Sequence, residues 1–176
     1  DKIVTRKRGG ICYELNGLFF ELLQQAGFHV KMVSARVFND QGNYGAEFDH
    51  MALLVSMPQA DVSDPPPASS RGGHKEVYLS DVGFGEFMFA PAKIEIGKEI
   101  TDVRGTFIFE KLNDTAYVVK KKNSVGEFIP EYQFTEIERR RDEFLDMCNF
   151  HQTNPASHFT QKRICSLPTT NGRVSI

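Results

Sequence analysis

The apolar positions near the start of the chain recur at intervals of three and four residues. Between positions 12 and 26 they are Leu15, Leu18, Phe19, Leu22 and Leu23. Gly27 follows this run, in the position where glycine often ends a helix. The spacing predicts a helix from Cys12 to Ala26 with one face buried in the core.

The pattern changes to that of β-strands after this helix. Residues 29–38 and 48–57 are rich in β-branched and other apolar residues, and the segment between them has turn composition. Strand signals return at 76–84, and the runs 106–112 and 115–122 predict a hairpin that turns near Asn113 and Asp114. We therefore expect an α+β protein in which the helical segment packs on an antiparallel sheet or small barrel.

Residues 59–74 are so rich in proline, serine and glycine that they predict a surface insertion in the sheet. Farther on, Glu136 to about Asn149 has a helical pattern with the arginine run on its solvated face. The apolar side of this predicted helix consists of Ile137, Phe144, Leu145 and Cys148. The Asn-Gly pair within 169–176 predicts a further hairpin. These patterns place boundaries in the chain near residues 28 and 135.

Charge and cysteine content narrow the possible functions. Twenty-one basic residues against 23 acidic ones give a net charge of −2, which favours a small-molecule substrate over a nucleic acid or a membrane surface. The three cysteines include no C-x-x-C pair, which argues against a disulfide framework and against a zinc site. We expect a reducing, cytoplasmic setting and no metal.

Cys12 lies in the first turn of the predicted helix. The positive end of the helix dipole and the free backbone N–H groups there stabilise a thiolate, which suits a nucleophile. A cysteine on an apolar helix face is also commonly a small buried hydrophobic residue, and position alone leaves both interpretations open. Gly9 and Gly10, just before it, are expected to allow a tight turn and to leave room for a substrate.

A nucleophilic cysteine needs a base and a third group that orients the base. Of five histidines, His50 is the one within a clear strand, on the face of Ala52 and Leu54. Alternation puts Asp81 on the face of Val77 and Leu79, where a carboxylate requires a charged or donating partner. The alternatives are a core histidine with satisfied hydrogen bonds and a strand-end aspartate exposed by the turn that follows.

Four motifs contain these residues: R-G-G-I-C-Y-E-L-N at 8–16, F-D-H-M-A-L-L-V at 48–55, Y-L-S-D-V-G-F-G at 78–85 and F-H-Q-T-N-P-A-S-H-F-T at 150–160. In these motifs and their order the sequence resembles the arylamine N-acetyltransferases. The resemblance implies a Cys12-His50-Asp81 triad that carries an acetyl group from acetyl-CoA to an arylamine or arylhydrazine in two steps. It does not indicate an oligomeric state.

The resemblance also implies a fold and further contact residues. The family has a helical bundle bearing the cysteine, a β-barrel and an α/β lid. The resemblance therefore implies the end of the helical bundle at 1–28, the β-barrel at 29–135, and an interdomain helix with the start of the α/β segment at 136–176. We expect this chain to lack the first helices and the lid, with lower stability and coenzyme affinity. Phe84 and Phe87 are implied in the acceptor cleft, although both equally suit the barrel core. The coenzyme contacts implied are Ala46, Glu47, Phe150 and Ala156.

Two rival functions are consistent with the same residues. The first is a cysteine hydrolase or amidase that uses the triad to cleave an amide bond. The second is a binding module that has kept the fold and lost the activity. The presence of all three of Cys12, His50 and Asp81 argues against the second.

Overall fold

A nearly closed antiparallel sheet of eight strands forms the centre of the computed structural model, which describes residues 1–58, 75–162, 165–169 and 172–175. The strands are β1 His29–Val37, β2 His50–Pro58, β3 Lys75–Ser80, β4 Ala92–Lys93, β5 Glu99–Asp102, β6 Gly105–Lys111, β7 Ala116–Lys122 and β8 Phe128–Arg139. Their order in the sheet is β4-β3-β2-β1-β8-β7-β6-β5. Beyond β4, Ile96 forms a bridge with Phe109 of β6, which brings the two edges of the sheet together. The predicted α+β class and antiparallel sheet are confirmed.

Aromatic side chains fill the inside of this sheet. Phe107 and Phe109 lie two residues apart on β6, and Tyr132 and Phe134 lie two residues apart on β8. The side chains of each pair therefore point to the same face of the sheet. All four are almost completely buried, and the rings of Phe109 and Phe134 meet edge to face with centroids 6.4 Å apart. The interior is therefore a packed core that holds the surrounding strands at fixed positions.

Helix α1, Cys12–Gln25, packs on the outer face of the sheet against β1 and β2. Met51 and Leu53 of β2 face the helix, whereas Ala52 and Leu54 face the interior, so β2 is covered on both sides. The helix itself is confirmed, but the face predicted to be buried is partly wrong, since Leu18 is 39% exposed and Leu22 is 60% exposed. The buried residues of α1 are instead Cys12, Tyr13, Asn16 and Gly17.

The charged segment that follows β8 differs from its prediction. Strand pairing continues to Arg139, opposite Met32 of β1, so the helix predicted from Glu136 is wrong at its start. The hydroxyl of Tyr117 also donates to Glu136. Long-range pairing with β1 therefore overrides the helix propensity of this segment. Arg140 and Arg141 are exposed, as predicted for the arginine run, but they follow a strand instead of lying on a long helix. The three arginines, Arg139 to Arg141, form ion pairs with Glu47, Asp142 and Glu21 in turn.

Short elements complete the chain: a 3₁₀ helix Arg141–Phe144, α2 Leu145–Thr153, α3 His158–Gln161, β9 Ser166–Thr169 and β10 Gly172–Ser175. The last two strands pair antiparallel, in agreement with the predicted hairpin. The predicted insertion at 59–74 lies outside the described residues, and the division at 28 and 135 remains a prediction. None of the helices within the described ranges is long and apolar enough to cross a membrane.

The importance of the interior aromatic residues can be measured by deleting one ring. Phe107 is 0% exposed, so Phe107→Ala in the complete protein is expected to lower the free energy of unfolding by about 3–5 kcal/mol. The matched control is Val103→Ala, because Val103 is 76% exposed and its loss should change stability by less than about 0.5 kcal/mol. Urea unfolding of both variants tests this, and equal effects would contradict the assigned core.

Candidate active site

Cys12 is the first residue of α1, and Glu14 stabilises the start of this helix. The backbone N–H of Ile11 donates to Glu14 Oε2 at 3.1 Å, and Lys2 pairs with the same carboxylate at 2.8 Å. A Cβ at Gly10 would lie 2.9 Å from that oxygen, so glycine clears the space that Glu14 occupies. Neither Gly9 nor Gly10 lies in a turn or has a positive φ, so the predicted tight turn before Cys12 is absent.

Asp81 directly follows β3, and its side chain is 0% exposed. Its Oδ2 lies 2.6 Å from His50 Nε2 and accepts a hydrogen bond from the Tyr132 hydroxyl at 3.0 Å. Its Oδ1 accepts from Asn16 Nδ2 at 2.8 Å and from the backbone N–H groups of Gly83 and Phe84. A buried carboxylate is costly unless donors surround it, and five donors do so here. Asp81 is thus buried and bonded, as alternation predicted, and is not exposed by the turn.

His50 connects Asp81 to Cys12. Its Nε2 faces Asp81, and the Cys12 side chain lies beside the same ring, near enough to raise the pKa of His50. The imidazole is buried and packs edge to face on Phe84, with ring centroids 5.2 Å apart. The structure therefore brings the three predicted residues of the triad together at one place.

Burial and charge act in opposite directions on this chain. Burial alone lowers the pKa of His50, but the charge of Asp81, the proximity of Cys12 and the hydrogen bonds to both raise it, to about 10. Burial likewise raises the pKa of Asp81, whereas the charge of His50 and the hydrogen bonds it receives lower it below its usual range. At neutral pH the pair is an imidazolium and a carboxylate, which leaves His50 as a proton donor beside the cysteine.

Asn16 and Tyr132 hold this arrangement together, and neither was predicted from the sequence. Asn16 donates to the carbonyl of Met51 at 2.6 Å and accepts from the N–H of Val82 at 2.9 Å, in addition to its bond to Asp81. One signal was available: Asn16 is four residues after Cys12 and so shares its helix face. Nothing in the local pattern around Tyr132 indicates its partner, which is 51 residues away.

A cleft of about 410 Å³ opens over Cys12 and His50. Phe84 lies in its wall, as the resemblance implied, and the other lining residues are Gly10, Ile11, Val37, Asp49, Gly83, Gly85, His158, Phe159 and Arg173. Phe87 is buried in the barrel interior, where its ring packs against Phe84 and Phe107. Of these two phenylalanines, only Phe84 is among the described residues that line the cleft.

The four residues implied in coenzyme contacts do not line this cleft. Ala46 and Ala156 are exposed, Phe150 packs against His151, and Glu47 pairs with Arg139 at 2.7 Å. Their role in binding the coenzyme remains a prediction. Within the part of the chain that the structure describes, no group of three His, Cys, Asp or Glu side chains could hold a metal ion.

Comparison with known proteins assigns the family. A family model described as N-acetyltransferase matches residues 1–176, the whole chain. The chain belongs to the arylamine N-acetyltransferase family. The resemblance drawn from the four motifs is therefore confirmed.

Family members align over nearly the whole of this chain. Arylamine N-acetyltransferase 2 of Mus musculus is 29% identical, and the pineal gland isozyme NAT-3 of Gallus gallus is 31% identical, each over 98% of this chain. The structure of the Mycobacterium marinum arylamine N-acetyltransferase in complex with CoA is 26% identical, covers 100% of this chain and superposes with a TM-score of 0.83. The chain spans about 60% of the length of these three relatives.

The close approach of the loop after Asp81 to helix α1 can be tested at Gly83. A Cβ there would lie 2.7 Å from the Cα of Cys12 and 2.9 Å from Asn16 Nδ2. Gly83→Ala in the complete protein is therefore expected to cost about 1–3 kcal/mol of unfolding free energy and to slow alkylation of Cys12 by iodoacetamide. Gly9→Ala is the matched control, since that position has open space and no positive φ. If both variants alkylate at the parent rate, the close approach is incorrect.

Proposed function

We propose that the protein transfers an acetyl group from acetyl-CoA to an arylamine or arylhydrazine through a thioester on Cys12. The observation that carries this proposal is the Cys12-His50-Asp81 chain at the floor of the cleft. It is supported by membership of the N-acetyltransferase family and by the CoA complex of the Mycobacterium marinum relative.

In the first half-reaction, Cys12, as the thiolate that remains when His50 holds the proton, attacks the thioester carbonyl carbon of acetyl-CoA. The new bond joins the Cys12 sulfur to the acetyl carbon, and the bond from that carbon to the CoA sulfur breaks. His50, protonated beside Asp81, is placed to give its proton to the departing CoA thiolate. Asp81 fixes the ring orientation and stabilises its charge, as the acid of a catalytic triad does.

In the second half-reaction, the acceptor nitrogen attacks the acetyl carbon of acetyl-Cys12. The bond between carbon and the Cys12 sulfur breaks, and the nitrogen loses one proton, which the neutral His50 accepts. The thiolate and imidazolium of the resting enzyme are thereby restored. The buried position of the His50–Asp81 pair limits competing proton exchange with solvent during this step.

The cleft suits an aromatic acceptor. Phe84 and Phe159 contribute rings to its wall, and Ile11 and Val37 contribute aliphatic surface. A volume of about 410 Å³ is within the range of small-molecule sites. The hydrolase alternative uses the same three residues but is not favoured, because the relatives compared above are N-acetyltransferases by name.

Further parts of the proposal come from the family resemblance. Phe84 would contact the acceptor, while Ala46, Glu47, Phe150 and Ala156 would contact the coenzyme. The same resemblance supports a role in xenobiotic metabolism, and the three sparse cysteines without a C-x-x-C pair support a cytoplasmic location.

Intact mass measurement tests the proposed function. The complete protein incubated with acetyl-CoA is expected to gain one acetyl group of about 42 Da, which disappears when an arylamine is added. Cys12→Ala should abolish the adduct. Cys148→Ser is the matched control and should retain it, since Cys148 lies on α2 outside the cleft lining. An adduct that survives Cys12→Ala would overturn the assignment of the nucleophile.

A further inference from the structure

A second carboxylate, Asp49, lies in the wall of the cleft one residue before His50. Its side chain is 22% exposed, whereas that of Asp81 is 0% exposed. Asp81 has all of its bonds within the protein, but Asp49 has surface available to a molecule in the cleft. The proposed mechanism assigns Asp49 no task.

A buried histidine holds this carboxylate from behind. His151 Nε2 lies 3.1 Å from Asp49 Oδ1, and His151 Nδ1 lies 3.1 Å from the hydroxyl of Ser157. The imidazole of His151 is almost completely buried and stacks on the ring of Tyr13. Among the described residues Nε2 has no aligned hydrogen-bond partner, so its contact with Asp49 is a close polar approach rather than a directed hydrogen bond.

The backbone beside Asp49 is also fixed. The Tyr13 hydroxyl donates to the carbonyl of Phe48 at 2.7 Å and to that of Asp49 at 3.2 Å. Gly45 lies directly under the carboxylate, and a Cβ at that position would collide with Asp49 Oδ2. Two elements, α1 through Tyr13 and α2 through His151, therefore hold this one carboxylate at the cleft.

Asp49 is the only carboxylate among the described residues that line the cleft. The other charged or titratable groups there are Cys12, His50, His158 and Arg173. Arg173 lies beside Gly85 and contacts the Ser166 hydroxyl, so it belongs to the wall formed by the loop after β3 and by β10. Asp49 belongs to the segment that enters β2, and the cleft offers one fixed anionic hydrogen-bond acceptor close to His50.

We infer that Asp49 orients the acceptor amine in the second half-reaction, an inference that rests on the proposed acetyl transfer. A primary arylamine or a terminal hydrazine nitrogen carries two N–H bonds. One donates to Asp49, and the other supplies the proton that His50 accepts as the bond to the acetyl carbon forms. Holding the nitrogen in this way directs its lone pair at the thioester, which is the geometric condition for rapid attack.

The two half-reactions separate this role from a structural one. In the complete protein, Asp49→Asn should leave the rate of Cys12 acetylation by acetyl-CoA within about twofold of the parent. Attack of an arylamine such as aniline on acetyl-Cys12 should slow by about tenfold or more, because a charged hydrogen bond is lost. Hydrolysis of acetyl-Cys12 by water, without amine, should change by less than about twofold.

Two further variants complete the test. Asp146→Asn removes an exposed carboxylate from the first turn of α2 and should behave as the parent. Ser157→Ala keeps Asp49 but removes the partner of His151, and should slow aminolysis alone by about threefold, even if Asp49→Asn does not fold. Aminolysis within twofold of the parent in both Asp49→Asn and Ser157→Ala, or an equal fall in both half-reactions, would overturn the role of Asp49. A parent that is not acetylated would instead refute the proposed function.

Discussion

The burial of one charged group, the carboxylate of Asp81, is the constraint on which the rest of the site depends. A carboxylate without solvent contact must be surrounded by donors, and the five donors here come from α1, β2, β8 and the turn after β3. The carboxylate of Asp81 therefore links these four elements through its hydrogen bonds. The charge of Asp81 also raises the pKa of His50 and so keeps the ring protonated beside Cys12.

The site lies where two hydrophobic cores meet. Cys12 belongs to the cluster between α1 and the outer face of the sheet, whereas the His50 ring packs on Phe84 and Tyr132 at the edge of the barrel interior. Asn16 joins the two, since it bonds both the backbone of β2 and Asp81. Such a junction requires close backbone approach, which explains glycine at position 83. Packing thereby sets the distance between nucleophile and base.

Local pattern predicted those elements whose structure depends on local interactions. The helix at Cys12 and the hairpin at Asn113 follow from side-chain periodicity and turn chemistry, and the structure contains both. The segment at Glu136 has a helical pattern, but pairing with β1, about 100 positions earlier, makes it a strand. The exposure of Leu18 and Leu22 was equally unpredictable, because the polar Asn16 takes the buried face.

Some residues of the candidate site could be predicted from the sequence, and others could not. Alternation put His50 and Asp81 on inward faces, and the four family motifs then joined them to Cys12. Tyr132 and Asn16 act through partners that only the folded chain brings near, so their roles required the structure. Asp49 and His151 lie inside the recognised motifs, yet their pairing depends on how α2 folds back toward β2.

The protonation state of His50 tests the central claim most directly. In a ¹⁵N NMR titration of the complete protein from about pH 6 to about pH 11, both ring nitrogens of His50 should keep their protons through neutral pH and lose one near pH 10. The stabilisation from this pair is full below the pKa of about 6.5 of an unfolded histidine and is lost as pH rises through 10. In Asp81→Asn, the His50 ring should lose its proton below pH 7. A His50 ring that titrates near pH 6.5 in both proteins would contradict the account.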